Sequence, residues 1–106
     1  IGAAVETFTN KGFSGNISLM VGILADGTVN NISVLQHAET PGLGSKMSEP
    51  SFKDQFNNKH ADSFNFNVKK DGGDVDAITA ATISSRAFCD AVNRAISTFE
   101  NNKGGF

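Results

Sequence analysis

The chain contains no tryptophan and no tyrosine, and cysteine occurs once, at Cys89. A single cysteine excludes an internal disulfide framework and any multi-cysteine metal site. It leaves the redox compartment open, because an oxidising compartment permits disulfides without requiring them. A zinc site needs about three or four ligands, and His37, His60, Cys89 and scattered carboxylates are a poor supply, so no metal is expected. No apolar run approaches the ~20 residues that span a bilayer. No basic stripe stands against the formal net charge of −2, so the footprint of a nucleic-acid binder is missing. A hydrolase could be assembled on paper from Ser84 or Cys89 with His37, but no Gly-x-Ser-x-Gly elbow supports it.

What is present is one modest core. The chain has 106 residues, 39% of them hydrophobic, which suits one domain over 1–106 and leaves no room for two. Nine phenylalanines carry the aromatic content, and without a polar handle these rings are packing material. Ala3–Phe8 has strand character, and a Gly/Ser/Asn/Lys loop is expected from Thr9 to Gly15. Ile17, Leu19, Val21 and Ile23 alternate on one face of the next strand, while Met20 and Leu24 suggest cover on its other face too. Asp26-Gly27 joins this strand to Thr28–Gln36, which predicts a hairpin with a type I′ turn. An irregular loop follows over His37–Ser45. A short helix is expected over Glu49–Lys59, capped by Ser48 with Pro50 in its first turn, so that Phe52 and Phe56 share a face. Phe64, Phe66 and Val68 alternate with polar residues and predict a further strand. The clearest element is a helix over Thr82–Asn101, with Ile83, Ala87, Phe88, Ala91, Val92, Ala95, Ile96 and Phe99 in one apolar stripe. The fold class is therefore α+β: a twisted, mostly antiparallel sheet packed against a long C-terminal helix, with a short additional helix.

Chemistry concentrates where that helix begins. Thr79, Thr82, Ser84 and Ser85 sit within seven positions, and free N–H groups with the positive dipole end make a helix start an anion site. Small Ala80 and Ala81 would let a bulky phosphorylated ligand approach the backbone. Ordinary capping explains Ser and Thr here equally well. Ser84 resists that explanation, because a helix from Thr82 points its hydroxyl into the apolar stripe, where it requires a partner.

Asp76-Ala77-Ile78-Thr79-Ala80-Ala81-Thr82, continued by Ile83-Ser84-Ser85, resembles the flavinylation motif of the FMN-binding domain family. RnfG and NqrC subunits of ion-pumping membrane electron-transport complexes are its best-known members. The family pattern is Asp-x-x-Ser/Thr-Gly-Ala-Thr, with the last Thr esterified to the FMN phosphate by a flavin transferase. The resemblance implies covalent FMN on Thr82, with Thr79, Ala81, Ile83, Ser84 and Ser85 beside it. It makes Asp76, Thr79, Ala80, Ala81 and Thr82 the stretch that the transferase reads. Ala80 replaces the usual Gly, which adds a methyl group and restricts φ. A second stretch, His37-Ala38-Glu39-Thr40-Pro41-Gly42-Leu43-Gly44, resembles the family's loop beside the flavin. His37, Glu39, Thr40, Gly42, Leu43 and Gly44 are thereby expected at the cofactor, with the two glycines letting backbone N–H groups approach a planar ring. Pro41-Gly42 also suits a type II turn, and both roles can hold together. The resemblance covers roughly residues 12–98.

By that resemblance the chain is an electron-carrier subunit rather than a stand-alone enzyme. Its partners would be other subunits of a membrane complex and the flavin transferase. Its place would be the extracytoplasmic (periplasmic) face, held by an N-terminal transmembrane helix preceding Ile1; the absent initiator methionine fits a piece of a longer protein. Two alternatives stay open: a flavin relay in another extracytoplasmic reductase chain, and a non-redox module that binds phosphate or a partner. The missing Trp and Tyr predict visible fluorescence from a bound flavin, since Phe is a poor electron donor.

Overall fold

The computed structural model describes residues 2–101. Its architecture is the expected α+β: a three-stranded antiparallel sheet in the order β1-β2-β3, a short helix and a long C-terminal helix. The strands are β1 (Gly2–Gly12), β2 (Gly15–Leu24) and β3 (Val29–Gln36), and the α-helices are α1 (Pro50–Lys53) and α2 (Thr82–Asn101). Val5, Thr7 and Thr9 of β1, with Ile17, Leu19, Val21 and Ile23 of β2, turn to one face, where α2 covers them. The two-residue period of the strands thus meets the stripe of the helix in a two-layer core.

β1 runs on through the segment expected to be a loop. Thr9 stays in register opposite Ile17, and its buried hydroxyl donates to Asp90 Oδ2 on α2 at 2.8 Å. The expected double cover of β2 does not appear, because Met20 is half-buried and Leu24 exposed on the outer face. The hairpin to β3 forms with a different turn. Leu24 and Thr28 close a three-residue loop, and only Gly27 takes a positive φ, +94°, so this is a type I turn with a glycine bulge rather than type I′.

The short helix is shorter than expected. A 3₁₀ turn occupies Gly44–Ser48, which removes Ser48 from the capping position, and Glu49 precedes Pro50 there. α1 gives way to a 3₁₀ turn at Asp54–Phe56. It stops because the next backbone pairs elsewhere: Asn58 N–H donates to Val29 C=O, and Val29 N–H donates to Lys59 C=O. Phe52 and Phe56 still share a face, with centroids 5.6 Å apart, and both pack on Phe88 at 5.0 Å.

The strand expected at Phe64–Val68 does not form. Asn65 N–H is taken by Asp74 Oδ2 and Asn67 N–H by Asn65 Oδ1, so short polar side chains compete with a ladder. Only a single parallel bridge joins Val68 to Val75. Phe66 and Val68 are nevertheless buried, so the alternation correctly marked an inward face. Cys89 is buried on α2, and burial pushes its thiol pKa up to about 12. No helix among the described residues is long and apolar enough to cross a membrane.

Candidate functional site

The approach to α2 is a tight, fully bonded turn. Ala81 N–H donates to Ile78 C=O at 3.0 Å, which puts Ala80 at the third position of a β-turn with φ +61°. That is left-handed backbone, where glycine sits without cost and alanine does not. Ser85 is fully buried and closes the turn from below: its Oγ accepts Ile78 N–H at 2.9 Å and donates to Ala81 C=O at 2.8 Å. Upstream, the Gln55 side chain clasps the Asp76 backbone through both its N–H and C=O, at 2.8 and 3.0 Å. The Asp76 carboxylate lies outside, paired with Lys69 Nζ at 2.8 Å.

The first intrahelical bond runs from Ser85 N–H to Ala81 C=O. The N–H groups of Thr82, Ile83 and Ser84 therefore have no partner within the helix, as at any α-helix start. The side-chain order in this turn is inverted. Ile83, placed by sequence in the core stripe, is 49% exposed, whereas Ser84 and Ser85 are buried. α2 has its apolar stripe on the sheet only from Ala87 onward.

Ser84 finds its partner in Glu39. Its hydroxyl donates to Glu39 Oε1 at 2.5 Å, and Glu39 is only 4% exposed. Two further donors reach the carboxylate from the β1–β2 turn, Phe13 N–H to Oε1 and Ser14 N–H to Oε2, both at 2.8 Å. Burial drives the Glu39 pKa upward, but the Ser84 hydroxyl, the two N–H groups and the nearby His37 together outweigh it and hold the carboxyl below its ordinary value. Gly44 is pressed against this pair. A Cβ there would collide with Ser84 Oγ and lie 2.7 Å from Glu39 Cβ.

Above these bonds opens a cleft of about 380 Å³, lined by Phe13, Thr40, Leu43, Gly44, Ala80, Ala81, Thr82, Ile83 and Ser84. The volume falls in the range of small-molecule sites. Phe13, Leu43 and Ile83, all large and apolar, stand 67%, 39% and 49% exposed around it. Two stretches more than thirty residues apart in sequence thus meet on one cleft. Of the residues singled out by sequence, Thr40, Leu43, Gly44, Ala80, Ala81, Thr82, Ile83 and Ser84 line it. Glu39 lies one layer behind, and Ser85 beneath the turn. His37 accepts Glu39 N–H through Nδ1 at 3.1 Å, away from the cleft wall. Asp76 and Thr79 are on the outside.

The glycines also have work within the protein itself. Gly42, φ +78°, completes a turn in which Leu43 N–H donates to Thr40 C=O, the type II geometry that Pro41-Gly42 suggested. Its own N–H is taken by Ser45 Oγ. Phe13 was missed by sequence reading. The available signal was a large apolar residue inside the Gly12-Phe13-Ser14-Gly15 turn, where the strand period offers it no core face.

The FMN-binding domain family model matches residues 12–97. The chain belongs to the FMN-binding domain family. This FMN-binding domain is 43% identical over 108 residues to RnfG, the G-type subunit of the ion-translocating oxidoreductase complex, of Shewanella baltica, a match covering 97% of the chain and 51% of that protein. It is 44% identical over 100 residues to the protein of the same name from Aliivibrio fischeri, covering 90% and 48%. The chain thus spans about half the length of the curated relatives it matches. Among solved structures, the NqrC protein of the Na⁺-translocating NADH-quinone reductase from Parabacteroides distasonis superposes with a TM-score of 0.73 at 22% identity, covering 94% of this chain and 56% of that one. NqrC of Shewanella oneidensis superposes at 0.59 and 21% identity, covering 97% and 54%. These two structures share the fold.

Proposed function

We propose that this FMN-binding domain carries FMN as a phosphoester on Thr82 and serves as an electron carrier within an ion-translocating oxidoreductase complex, at the extracytoplasmic face of a membrane. The family membership supports the cofactor. The names of the RnfG relatives support the complex. The observation that carries the site is the position of Thr82: its half-buried side chain stands on the wall of the cleft, at the helix start, beside three backbone N–H groups without intrahelical partners.

The residues present fit the group. A phosphate needs donors and a favourable field, and the first turn of α2 offers both. A ring system needs apolar surface, which Phe13, Leu43 and Ile83 supply at the cleft mouth. Bound there, FMN supplies one-electron exchange, and the protein holds and orients it. Thr82 would hold the tail through Oγ. The Oγ–P bond would form as the hydroxyl proton is lost and a P–O bond of an activated flavin diphosphate donor, presented by the transferase, breaks with its nucleotide monophosphate leaving. The tether would keep the cofactor from diffusing away. Ala80 and Ala81 leave the approach to that oxygen clear of large side chains. Asp76 and Thr79 are exposed, which supports their being read by a flavin transferase.

Co-expression with a flavin transferase decides between this reading and a non-redox binding module. The intact mass is expected to rise by one FMN less one water, and a peptide map to locate it on Thr82. Thr82→Ala is expected to abolish the increment. A wild-type mass that stays unchanged under those conditions defeats the proposal. The flavinylated domain is also expected to fluoresce visibly, since no Trp or Tyr is available to quench it.

A further inference from the structure

We propose that Glu39 is the positioning residue of this site, a buried carboxylate that fastens the β1–β2 turn to the first turn of α2 and so sets the separation of the cleft's two walls. One wall is Phe13, on the β1–β2 turn; the other is Thr82 and Ile83, on α2. Both elements are tied to one side chain. Glu39 Oε1 receives Ser84 Oγ–H and Phe13 N–H, and Oε2 receives Ser14 N–H. Each tie is a charge-assisted bond in a protected place, the kind that loses most when one partner is removed.

The backbone around the carboxylate has been cleared to admit it. Gly44 has no room for a Cβ between Ser84 and Glu39, and a Cβ on Gly12, besides colliding with Gly15 C=O across the turn, would come within 3.2 Å of Glu39 Oε2. Glu39 therefore threads between two glycines to reach both walls. It does not line the cleft itself, so its effect on any ligand runs through Phe13, Ser84 and the turn that carries Thr82. Of the groups packed on it, the β1–β2 turn presents two backbone N–H groups, α2 presents the Ser84 hydroxyl, and its own loop presents His37 as the titratable neighbour. The donors favour the ionised form, so the fastening holds at neutral pH and loosens when the carboxylate takes a proton. The consequence for flavin attachment rests on the function proposed above, whereas the fastening itself belongs to the protein without cofactor.

The experiment is an NMR pH titration of the cofactor-free protein, run beside a transferase assay. In the wild type the amide signals of Phe13, Ser14 and Ser84 are expected to move along one curve, with a midpoint below the ordinary glutamate range. Glu39→Gln is expected to abolish that curve and to slow flavin attachment at Thr82 by about ten- to a hundredfold, the scale of a small misplacement of reacting groups. Ser84→Ala keeps the carboxylate and both turn bonds, so the Phe13 and Ser14 curves should persist while attachment still slows. That variant decides the matter if Glu39→Gln fails to fold. Persistence of the Phe13 and Ser14 curves in folded Glu39→Gln overturns the proposal, as does wild-type attachment in either variant. A wild type that takes no flavin defeats the proposed function instead, and the titration still decides the fastening.

Discussion

The two halves of α2 obey opposite rules. From Ala87 onward the helix is an ordinary packing element: Phe88, Val92, Ala95 and Phe99 are buried, and Arg94 is exposed. In the first turn the pattern inverts, with Ile83 half in solvent while Ser84 and Ser85 are buried. Burying hydroxyls and exposing a large aliphatic chain gains nothing for the fold by itself. Each buried hydroxyl is matched by a partner brought from elsewhere, Glu39 for Ser84 and the Ile78–Ala81 turn for Ser85. The inversion separates the part of the helix that holds the fold from the part that shapes the cleft.

Substitutions should separate the halves further. Phe88→Ala removes the ring at the centre of the Phe52–Phe56–Phe88 cluster and is expected to cost about 3–5 kcal/mol in urea unfolding, enough to unfold a marginal domain. A loss below about 1 kcal/mol would show that the aromatic cluster is not the core of the packing half. At the mouth, Gly44→Ala forces a methyl group against Ser84 and Glu39, and about 1–3 kcal/mol of destabilisation is expected. Its companion effect, weaker flavin attachment, should exceed that of Phe88→Ala measured under conditions where both proteins are folded.

Acid should also discriminate. The Glu39 carboxyl has a folded-state pKa below its unfolded one, so its contribution is fully present above the unfolded value. It is lost as pH falls through the folded value. Urea midpoints of wild type and Glu39→Gln are therefore expected to converge as pH drops below the ordinary glutamate range. A gap that stays constant with pH would assign the stabilising effect to shape rather than charge.

Smaller again is Ala80→Gly. It relieves a left-handed alanine at the turn before Thr82 and should raise stability by about 1 kcal/mol. It also restores the residue that the family motif carries at this position, so attachment at Thr82 should not fall. Thr82→Ala should barely move the urea midpoint, within about 0.5 kcal/mol, because its hydroxyl makes no bond on which the core depends. A substantial loss there would place Thr82 with the packing half instead.

Much of this was legible in the chain. Strict alternation at Ile17, Leu19, Val21 and Ile23 and the three-four spacing of the α2 stripe state a period, and a period needs no tertiary information. The two motifs named the Thr40–Gly44 and Ala80–Ser84 sides of the cleft but not its Phe13 wall. Ser84 stood out as a hydroxyl in an apolar position that required a partner. The identity of that partner was not legible, since nothing local connects residue 39 to residue 84. Phe13 did carry a local signal, a large apolar residue within a turn, but what it faces was not legible, and neither was the demotion of Phe64–Val68 from strand to irregular chain, which was decided by Asp74 reaching Asn65 N–H.

By itself, then, the sequence determined which segments can be strand or helix, which face of each is apolar, and where hydroxyls crowd a helix start. Those properties follow from backbone geometry and neighbours within one or two turns. Only the tertiary structure decided that Glu39 lies behind the cleft rather than in it, that Ile83 faces outward, and that Gly12 and Gly44 make room for a carboxylate. Those outcomes depend on bonds between residues about 25 to 45 positions apart, and no local pattern encodes a bond whose two ends meet only when the sheet and the last helix have packed.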